Sequence, residues 1–424
     1  MVFVLVVLAL LGMPLFAVLA LAALGGYWRA GLDPLLAGMD FVRIGEPPLL
    51  VALPLFAFSG VLMARSRVPV RLLELMQSIR GRMSGGLVVL VLVPYSLITA
   101  FTGFSGIAIL AMGSLLFPAL IRDGHPRRSS LGIVTAGSSP GVLLAPSLAL
   151  ILYAVVAEQL LPRTGVSLDS LFLAGLLPAC LILAVMGGYA AWLNRGRPRA
   201  ESMRKPFGRA LRDNALELPM PLVVLGGIYS GWLLLVEAAV LAAVWVLITV
   251  VLIRRELRLS KLPEIITEAM VLVAAMLVLL GISIASANVM VDAGVPQRLL
   301  DWFEPLVNSR LVFLLVLMVP LLAVGMLVGV SSGAVILAPL LIPVGMGFGV
   351  DPVHLGVVLV VSLQIGCLTL PAGINVVAAN HGSGKDLHTV YRAALPFLGI
   401  LLAVLLIIAG WPALSMTLPS LLAE

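Results

Sequence analysis

The chain has 424 residues, of which 61% are hydrophobic and only 11% are charged. Its mean hydropathy of +1.18 is far above that of soluble domains, so the composition excludes a soluble globular protein and indicates an all-α polytopic membrane protein. The formal net charge of +6 does not indicate nucleic-acid binding, because the basic residues cluster in short loops of the kind that mark the cytoplasmic side of a membrane.

Apolar stretches long enough to cross a bilayer as helices recur from end to end. With the basic loops in the cytoplasm, the sequence predicts spans near residues 2–27, 47–64, 129–157, 171–193, 217–235, 238–253, 265–290, 352–380 and 394–418. These spans leave no room for a soluble domain between them.

Two further apolar segments, 84–121 and 311–350, begin and end on the same side of the membrane. Arginines flank the first and mainly acidic residues flank the second, so we expect the first to open to the cytoplasm and the second to the outside. Small polar residues interrupt each at its centre, as TGFSG at 102–106 and GVSSG at 329–333. Neither centre carries the charge expected of a loop in water, so the pattern predicts two re-entrant helical hairpins. Tight helix packing through small residues is the alternative.

The apolar segment after each hairpin is also interrupted, by AGSSPGVLLAPS at 136–147 and by IGCLTLPAG at 365–373. Proline removes a helical hydrogen bond and frees a carbonyl, so both helices are predicted to be broken. Unwound carbonyls together with Ser and Thr hydroxyls make a neutral oxygen cage suited to Na⁺. No Asp, Glu, Lys, Arg or His lies within 129–157 or 311–350, which disfavours a proton relay.

An internal repeat relates the two halves of the chain. Two pairs of segments match 227 positions apart, VPVRLLELM at 68–76 with VPQRLLDWF at 295–303 and SGIAIL at 105–110 with SGAVIL at 332–337. LLFP with LLIP, LGIV with LGVV, and Pro146 with Pro371 follow in the same order. Because the halves face opposite sides, they form an inverted-topology repeat, the architecture of many secondary transporters.

The hairpin centres and helix breaks supply the candidate site residues. The residues predicted to bind sodium are Thr102, Gly103, Ser105, Gly106, Ser138, Gly141, Gly329, Ser331, Ser332, Gly333, Gly366 and Thr369. The residues predicted to bind the substrate are Ser105, Pro146, Ser147, Ser332, Pro371, Gly373 and Asn375. An anionic substrate would be held there by amides, hydroxyls and helix amino termini. Asn375 could face the substrate, and it could equally cap a helix.

The sequence lacks the features of an enzyme. Its four histidines do not have metal-ligand spacing, and GSGKD at 382–386 lacks the first glycine and the Ser or Thr of a phosphate-binding loop. No nucleophile with an adjacent base is evident. We therefore predict no catalytic residues, no ATP hydrolysis and no metal other than Na⁺.

At the hairpin and break residues the sequence resembles the large membrane subunit of the tripartite ATP-independent periplasmic (TRAP) transporters, and the resemblance covers essentially the whole chain. Matching stretches include ALPLFAFSG at 52–60, SSPGVLLAPSLALILY at 138–153 and GVDPVHLG at 349–356. The resemblance implies an elevator-type, sodium-driven importer of small organic acids such as C4-dicarboxylates in a bacterial inner membrane. It also implies two partners, a small four-helix membrane subunit and a periplasmic substrate-binding protein. A stand-alone sodium/carboxylate symporter of similar architecture is the alternative.

The chain departs from the family pattern at the presumed site. Ala145 and Leu370 stand where the family usually has the first of two prolines, and Gly329 replaces an Asp often present at the second hairpin. These departures bear on the substrate class and on the number of sodium ions, because each alters backbone freedom or charge.

The predicted organisation alternates scaffold and transport segments. Residues 1–64 form amino-terminal scaffold helices, 65–82 an amphipathic arm helix, 83–157 the first transport half, 158–294 scaffold helices, 295–310 a second arm helix, 311–384 the second transport half and 385–424 the carboxyl-terminal helix. The arm assignment follows from apolar residues at helical spacing with charges on the other face, a pattern that plain surface helices share.

Overall fold

The computed structural model describes residues 12–31, 33–43, 45, 47–79, 86–161, 166–194, 205–305, 307 and 309–422. Within these residues the secondary structure is entirely helical, which confirms the predicted all-α class. A 3₁₀ turn at Pro48–Val51 leads into α3, another at Ser139–Val142 follows α7, and a π-helical turn at Ile248–Ile253 extends α12.

Twenty α-helices lie within the described residues: α1 (Leu15–Arg29), α2 (Leu35–Arg43), α3 (Ala52–Arg65), α4 (Val68–Ile79), α5 (Gly86–Thr102), α6 (Ser105–Arg122), α7 (Arg127–Ala136), α8 (Leu148–Leu160), α9 (Leu168–Leu193), α10 (Phe207–Asp213), α11 (Pro219–Tyr229), α12 (Leu235–Leu247), α13 (Leu262–Asp292), α14 (Val295–Phe303), α15 (Arg310–Val328), α16 (Val330–Gly347), α17 (Pro352–Gly366), α18 (Ile374–Ser383), α19 (Leu387–Gly410) and α20 (Ala413–Leu422).

Seven helices among the described residues are long and apolar enough to cross a membrane, or eight if α3 and α4, bent by 68°, count as one span. The predicted span 217–235 is wrong in extent, because α11 ends at Tyr229 and Gly231 turns the chain with φ +70°. The predicted span 394–418 is two helices, because Trp411 precedes a proline and leaves the helical region (φ −126°, ψ 78°). Helix α2 was not predicted, and residues 2–11 of the first predicted span lie outside the described residues.

Both predicted hairpins and both predicted helix breaks are present. Helices α5 and α6 are joined by a turn at Gly103, and α15 and α16 by a turn at Gly329. The span predicted at 129–157 consists of α7, the 3₁₀ turn and α8, while the span predicted at 352–380 consists of α17 and α18 with unwound chain between them. Charge-free sequence at membrane depth is thus folded into helices that stop and restart, which requires protein partners for the freed backbone groups.

The two halves exchange elements. The second arm of the first hairpin, α6, packs against α18 of the other half, and the second arm of the second hairpin, α16, packs against α8. Two equivalent glycines also make equivalent contacts, each within its own half. A Cβ on Gly141 would lie 2.3 Å from the Ser96 carbonyl of α5, and a Cβ on Gly366 would lie 2.3 Å from the Leu322 carbonyl of α15. Equivalent contacts at equivalent positions support the inverted repeat predicted from sequence.

Buried charges fix the amphipathic helix α4 to helices that follow it in the chain. The Arg71 guanidinium pairs with Glu217 at 2.7 Å and also with Glu256. The side chains of Arg71 and Glu217 are only 11% and 3% exposed. The Asn214 amide adds a hydrogen bond to the Arg71 carbonyl at 3.0 Å. Because these opposite charges pair away from water, α4 is held to the segment between α10 and α11.

Replacing Arg71 by methionine is expected to lower the free energy of unfolding by about 3–5 kcal/mol, because buried Glu256 would lose this partner and buried Glu217 would keep only Arg254, at 3.4 Å. The matched control is Arg65→Met, since Arg65 pairs with Glu268 where both side chains are solvent-exposed, 56% and 31%. That exposed pair should contribute less than about 1 kcal/mol. Denaturant unfolding of both variants in detergent measures the difference, and equal losses would contradict the buried role of Arg71.

Candidate functional site

The hairpin turns and the helix breaks meet in one place. We name the four segments by residue number: the first tip is 102–105, the second tip 328–332, the first break 137–147 and the second break 367–373. None of them contains Asp, Glu, Lys, Arg or His. The polar atoms available for binding are therefore hydroxyls, backbone groups and the side-chain amides that face the segments.

The first tip is a tight turn that only glycine fits. Gly103 has φ +69°, and its N–H donates to the Thr99 carbonyl at 2.8 Å. A Cβ on Gly103 would lie 2.0 Å from the side chain of Leu148, the first residue of α8. The Thr102 hydroxyl donates within the turn, at 3.2 Å to the Thr99 carbonyl. The first tip is thus pressed against the helix that follows the first break.

The second tip touches the first. Gly329 joins α15 to α16 and has φ +89°. A Cβ placed on Gly329 would have no neighbouring atom within 4 Å. The Ser331 hydroxyl, 5% exposed, donates to the Gly103 carbonyl at 3.5 Å. Ser332 is half-buried, and its hydroxyl forms no hydrogen bond with any residue that the structure describes. The two tips are therefore buried contacts between hairpins and not loops in water.

Asn375 joins the first tip to the second half. The Ser105 hydroxyl donates to Asn375 Oδ1 at 2.6 Å, and Asn375 is fully buried. Its Nδ2 has no hydrogen-bond partner among the described residues. Asn375 is the second residue of α18 and does not cap that helix, so the capping role is wrong, and the contact with substrate stays a prediction. A buried amide donor without a partner is expensive in isolation, so this atom is a candidate for ligand binding.

The first break is closed off from solvent. Ser138 is fully buried and its hydroxyl has no partner among the described residues. Pro146 follows a cis peptide bond from Ala145, and the Ala145 N–H donates to the Tyr229 hydroxyl at 3.1 Å. Ser147 caps α8 by accepting from the Leu150 N–H and donates to the Val142 carbonyl. Most of the polar groups here are thereby satisfied within the protein.

The second break has the same construction and a different exposure. Pro371 follows a cis peptide bond from Leu370, and the Thr369 hydroxyl donates to the Ile365 carbonyl at 3.2 Å. Gly373 precedes the first residue of α18. Pro371 and Ala372 are exposed, whereas the equivalent Pro146 and Ser147 are buried. The two breaks are therefore equivalent in sequence but differ in exposure.

Four helix amino termini converge here, because α6, α8, α16 and α18 all begin at a tip or directly after a break. The contacts Ser105–Asn375, Ser331–Gly103 and Gly103–Leu148 bring these starts together at the first tip. Each start presents partial positive charge and free N–H groups, which favour an anion, while the helix ends beside them present free carbonyls, which favour a cation. These groups can attract an anion or a cation without an ionised side chain.

Besides Gly103, three of the predicted sodium-site glycines are in close packing. A Cβ on Gly141, Gly333 or Gly366 would lie within 2.3–2.8 Å of atoms of a neighbouring helix. Packing alone accounts for glycine at these positions, and their role as ligands stays a prediction. Gly106 differs, since its nearest neighbours, Ala378 and Ile374, lie at ordinary contact distance from a Cβ.

Sequence reasoning missed Gln364. It lies near the end of α17 with 1% exposure, and its Nε2 donates to the hydroxyl of Ser139, in the first break, at 3.3 Å. Two features of the sequence could have identified Gln364. It is a polar residue inside an otherwise apolar run, and it is equivalent to Ser139 when the repeat is aligned on Pro146 and Pro371.

Comparison with known proteins identifies relatives over nearly the whole chain. A family model described as the DctM component of the tripartite ATP-independent periplasmic transporter matches residues 2–414. The C4-dicarboxylate TRAP transporter large permease protein DctM of Pseudomonas aeruginosa is 33% identical over 376 residues, covering 88% of this chain and 86% of that protein. The sialic acid TRAP transporter large permease protein SiaM of Vibrio cholerae is 32% identical over 382 residues, with the same two coverages.

Two further matches extend this comparison. The isethionate TRAP transporter permease protein DctMQ of Oleidesulfovibrio alaskensis is 32% identical over 96% of this chain, which corresponds to 64% of that protein. The crystal structure of the YdaH transporter from Alcanivorax borkumensis superposes with a TM-score of 0.65 at 17% identity, covering 90% of this chain and 88% of that one. The structural likeness concerns the fold alone.

Proposed function

This chain belongs to the DctM component family of the tripartite ATP-independent periplasmic transporters, and from that premise we propose that it is the large membrane subunit of a sodium-coupled importer of small organic acids. Family membership makes it a multi-pass inner-membrane permease and not an enzyme. The observation that carries the proposal is the convergence of four helix starts and two helix breaks at a buried, uncharged site.

Sodium is the proposed coupling ion because the site offers only neutral oxygen donors. Carbonyls released by the two breaks, with the hydroxyls of Thr102, Ser138 and Ser331 nearby, match the hard oxygen ligands that Na⁺ takes in broken-helix transporters. Proton coupling lacks support, since no Asp, Glu or His lies in the tips or the breaks.

Small organic acids are the proposed substrates, and C4-dicarboxylates are one such class. The relatives named above are described as carriers of C4-dicarboxylates, sialic acid and isethionate, all of them organic acids. In this chain the free Asn375 amide, the half-buried Ser332 hydroxyl and the helix starts are the groups proposed to receive the carboxylate.

An elevator movement is the proposed transport step, in which the hairpins and broken helices slide as a unit against the scaffold. Among the contacts that would have to break and reform are three specific ones: Gly60 of α3 packs directly on the backbone of the first tip, the Ala145 N–H donates to the Tyr229 hydroxyl, and the Ser283 hydroxyl donates to the Val335 carbonyl at 2.8 Å. Each of these contacts consists of packing on a glycine or of one hydrogen bond, which suits a surface that slides.

Two partners are proposed, a small four-helix membrane subunit and a periplasmic substrate-binding protein. We expect uptake of a radiolabelled C4-dicarboxylate into proteoliposomes holding both membrane subunits to require the binding protein and an inward Na⁺ gradient. Replacing Na⁺ by K⁺ should reduce uptake to the level of empty liposomes, because K⁺ is too large for a cage built for Na⁺. Uptake unchanged in K⁺ would overturn the coupling, and full uptake without the binding protein would favour a stand-alone symporter.

A further inference from the structure

Ser139 and Gln364 occupy equivalent positions in the two halves. They are 225 residues apart, as are Pro146 and Pro371 and the closely packed Gly141 and Gly366. The Gln364 amide donates to the Ser139 hydroxyl at 3.3 Å. Two residues related by a pseudo-twofold axis can touch each other only near that axis, so this hydrogen bond marks the centre of the inverted repeat.

The contact is buried and only partly satisfied. Ser139 and Gln364 are 2% and 1% exposed. Gln364 Oε1 has no hydrogen-bond partner among the described residues, and neither has the hydroxyl of the adjacent Ser138. Two buried acceptor oxygens are therefore left open where the halves meet, and a buried polar atom of this kind requires an explanation.

We propose that Gln364 is a positioning residue that couples the two helix breaks, so that a cation bound at one break orders the other. The inference rests on the sodium coupling proposed above. Its physical basis is that Gln364 lies three residues before the second break, and its side chain holds Ser139 inside the first. A shift of either unwound segment changes the geometry of this one bond and is transmitted to the equivalent segment.

The coupling predicts cooperative sodium binding. The unmodified chain is expected to show a Hill coefficient above one for the Na⁺ dependence of uptake. Gln364→Met, which keeps the side-chain length and removes the amide, is expected to lower the coefficient toward one and to raise the half-saturating Na⁺ concentration about tenfold. The KM for the organic acid at saturating Na⁺ should stay within about twofold of the unmodified value.

The bond itself is tested with Ser139→Ala and with the double variant. If the Ser139–Gln364 contact carries the coupling, the double variant should lose no more than Gln364→Met alone, because the second substitution removes nothing further. Ser139→Ala removes a single hydroxyl and keeps the test open if Gln364→Met fails to fold. Ser362→Ala is the matched control, since the Ser362 hydroxyl is equally buried but bonds only the Val358 carbonyl of its own helix.

The outcomes separate this inference from the proposed function. A Hill coefficient and half-saturating Na⁺ concentration unchanged in both Gln364→Met and Ser139→Ala would overturn the inference alone. Additive losses in the double variant, or an equal loss in Ser362→Ala, would also overturn it by showing a general packing effect. Sodium-independent uptake by the unmodified chain would overturn the proposed function first, and this inference with it.

Discussion

Replacing Gly103 by alanine is expected to reduce sodium-dependent uptake about a hundredfold, because the new methyl group faces two separate obstacles. The backbone there has φ +69°, a region that costs an L-residue about 1–2 kcal/mol. The Cβ would also lie 2.0–2.6 Å from three carbons of Leu148, including its Cβ, so the whole side chain would have to move. The measurement is the initial uptake rate per reconstituted transporter.

Gly329→Ala is the matched control for Gly103→Ala. Its backbone, with φ +89° and ψ 177°, is also in a region that disfavours any residue other than glycine, but nothing lies within 4 Å of the added methyl group, so the loss should come from backbone strain alone and be closer to tenfold. Gly384→Ala, at a left-handed helix end away from the site with φ +63°, should transport almost normally. Adding Leu148→Gly to Gly103→Ala, which removes all three clashing carbons, should recover part of the activity. Equal losses in all three glycine variants would show that contact with α8 has no role.

Replacing Asn375 by leucine is expected to lower kcat/KM for the organic acid about a hundredfold. The substitution leaves the buried Ser105 hydroxyl without its acceptor and removes the only side-chain amide donor at the first tip that has no protein partner among the described residues. The kinetics are measured in proteoliposomes at saturating Na⁺, with insertion checked by detergent extraction and size exclusion.

Asn380→Leu is the matched control, since Asn380 lies in the same helix and its amide bonds only the Lys385 carbonyl near the helix end. Its kcat/KM should stay within about threefold of the unmodified chain. A cycle with Ser105→Ala should be non-additive, because both single substitutions break the same hydrogen bond. If Asn375→Leu kept kcat/KM within twofold, the assignment of Asn375 to the substrate site would be wrong.

The hairpins and breaks could be predicted from sequence because their cause is local. Glycine and proline stop helices wherever they fall in charge-free chain, and the recurrence of TGFSG as GVSSG, and of Pro146 as Pro371, showed that the interruptions were not accidental. The positions of Thr102, Ser105 and Asn375 at one site follow from the same pattern, although their pairwise contacts do not.

The missed features depend on tertiary packing. Hydrophobic periodicity cannot show which half supplies the helix that packs against α6, since every hairpin helix is apolar on most of its surface. The exchange of α6 and α16 between halves therefore emerged only from the fold. The short helix α11 and the division of 394–418 into α19 and α20 were missed for a different reason, because Gly231 and Pro412 were treated as parts of continuous apolar runs.

The unequal exposure of the two breaks provides two equivalent positions at which introduced cysteines would react at different rates. Ser147 and Ala372 are repeat equivalents, and Ser147 is 2% exposed whereas Ala372 lies on the exposed surface of the chain. Of the two native cysteines, Cys180 is exposed and would be removed beforehand, whereas Cys367 is buried. In such a background, cysteines placed singly at 147 and 372 would differ in their rates of maleimide labelling. Under the proposed elevator movement, a conformer that mirrors this one would reverse the order of the two rates, so their ratio would distinguish the two conformers.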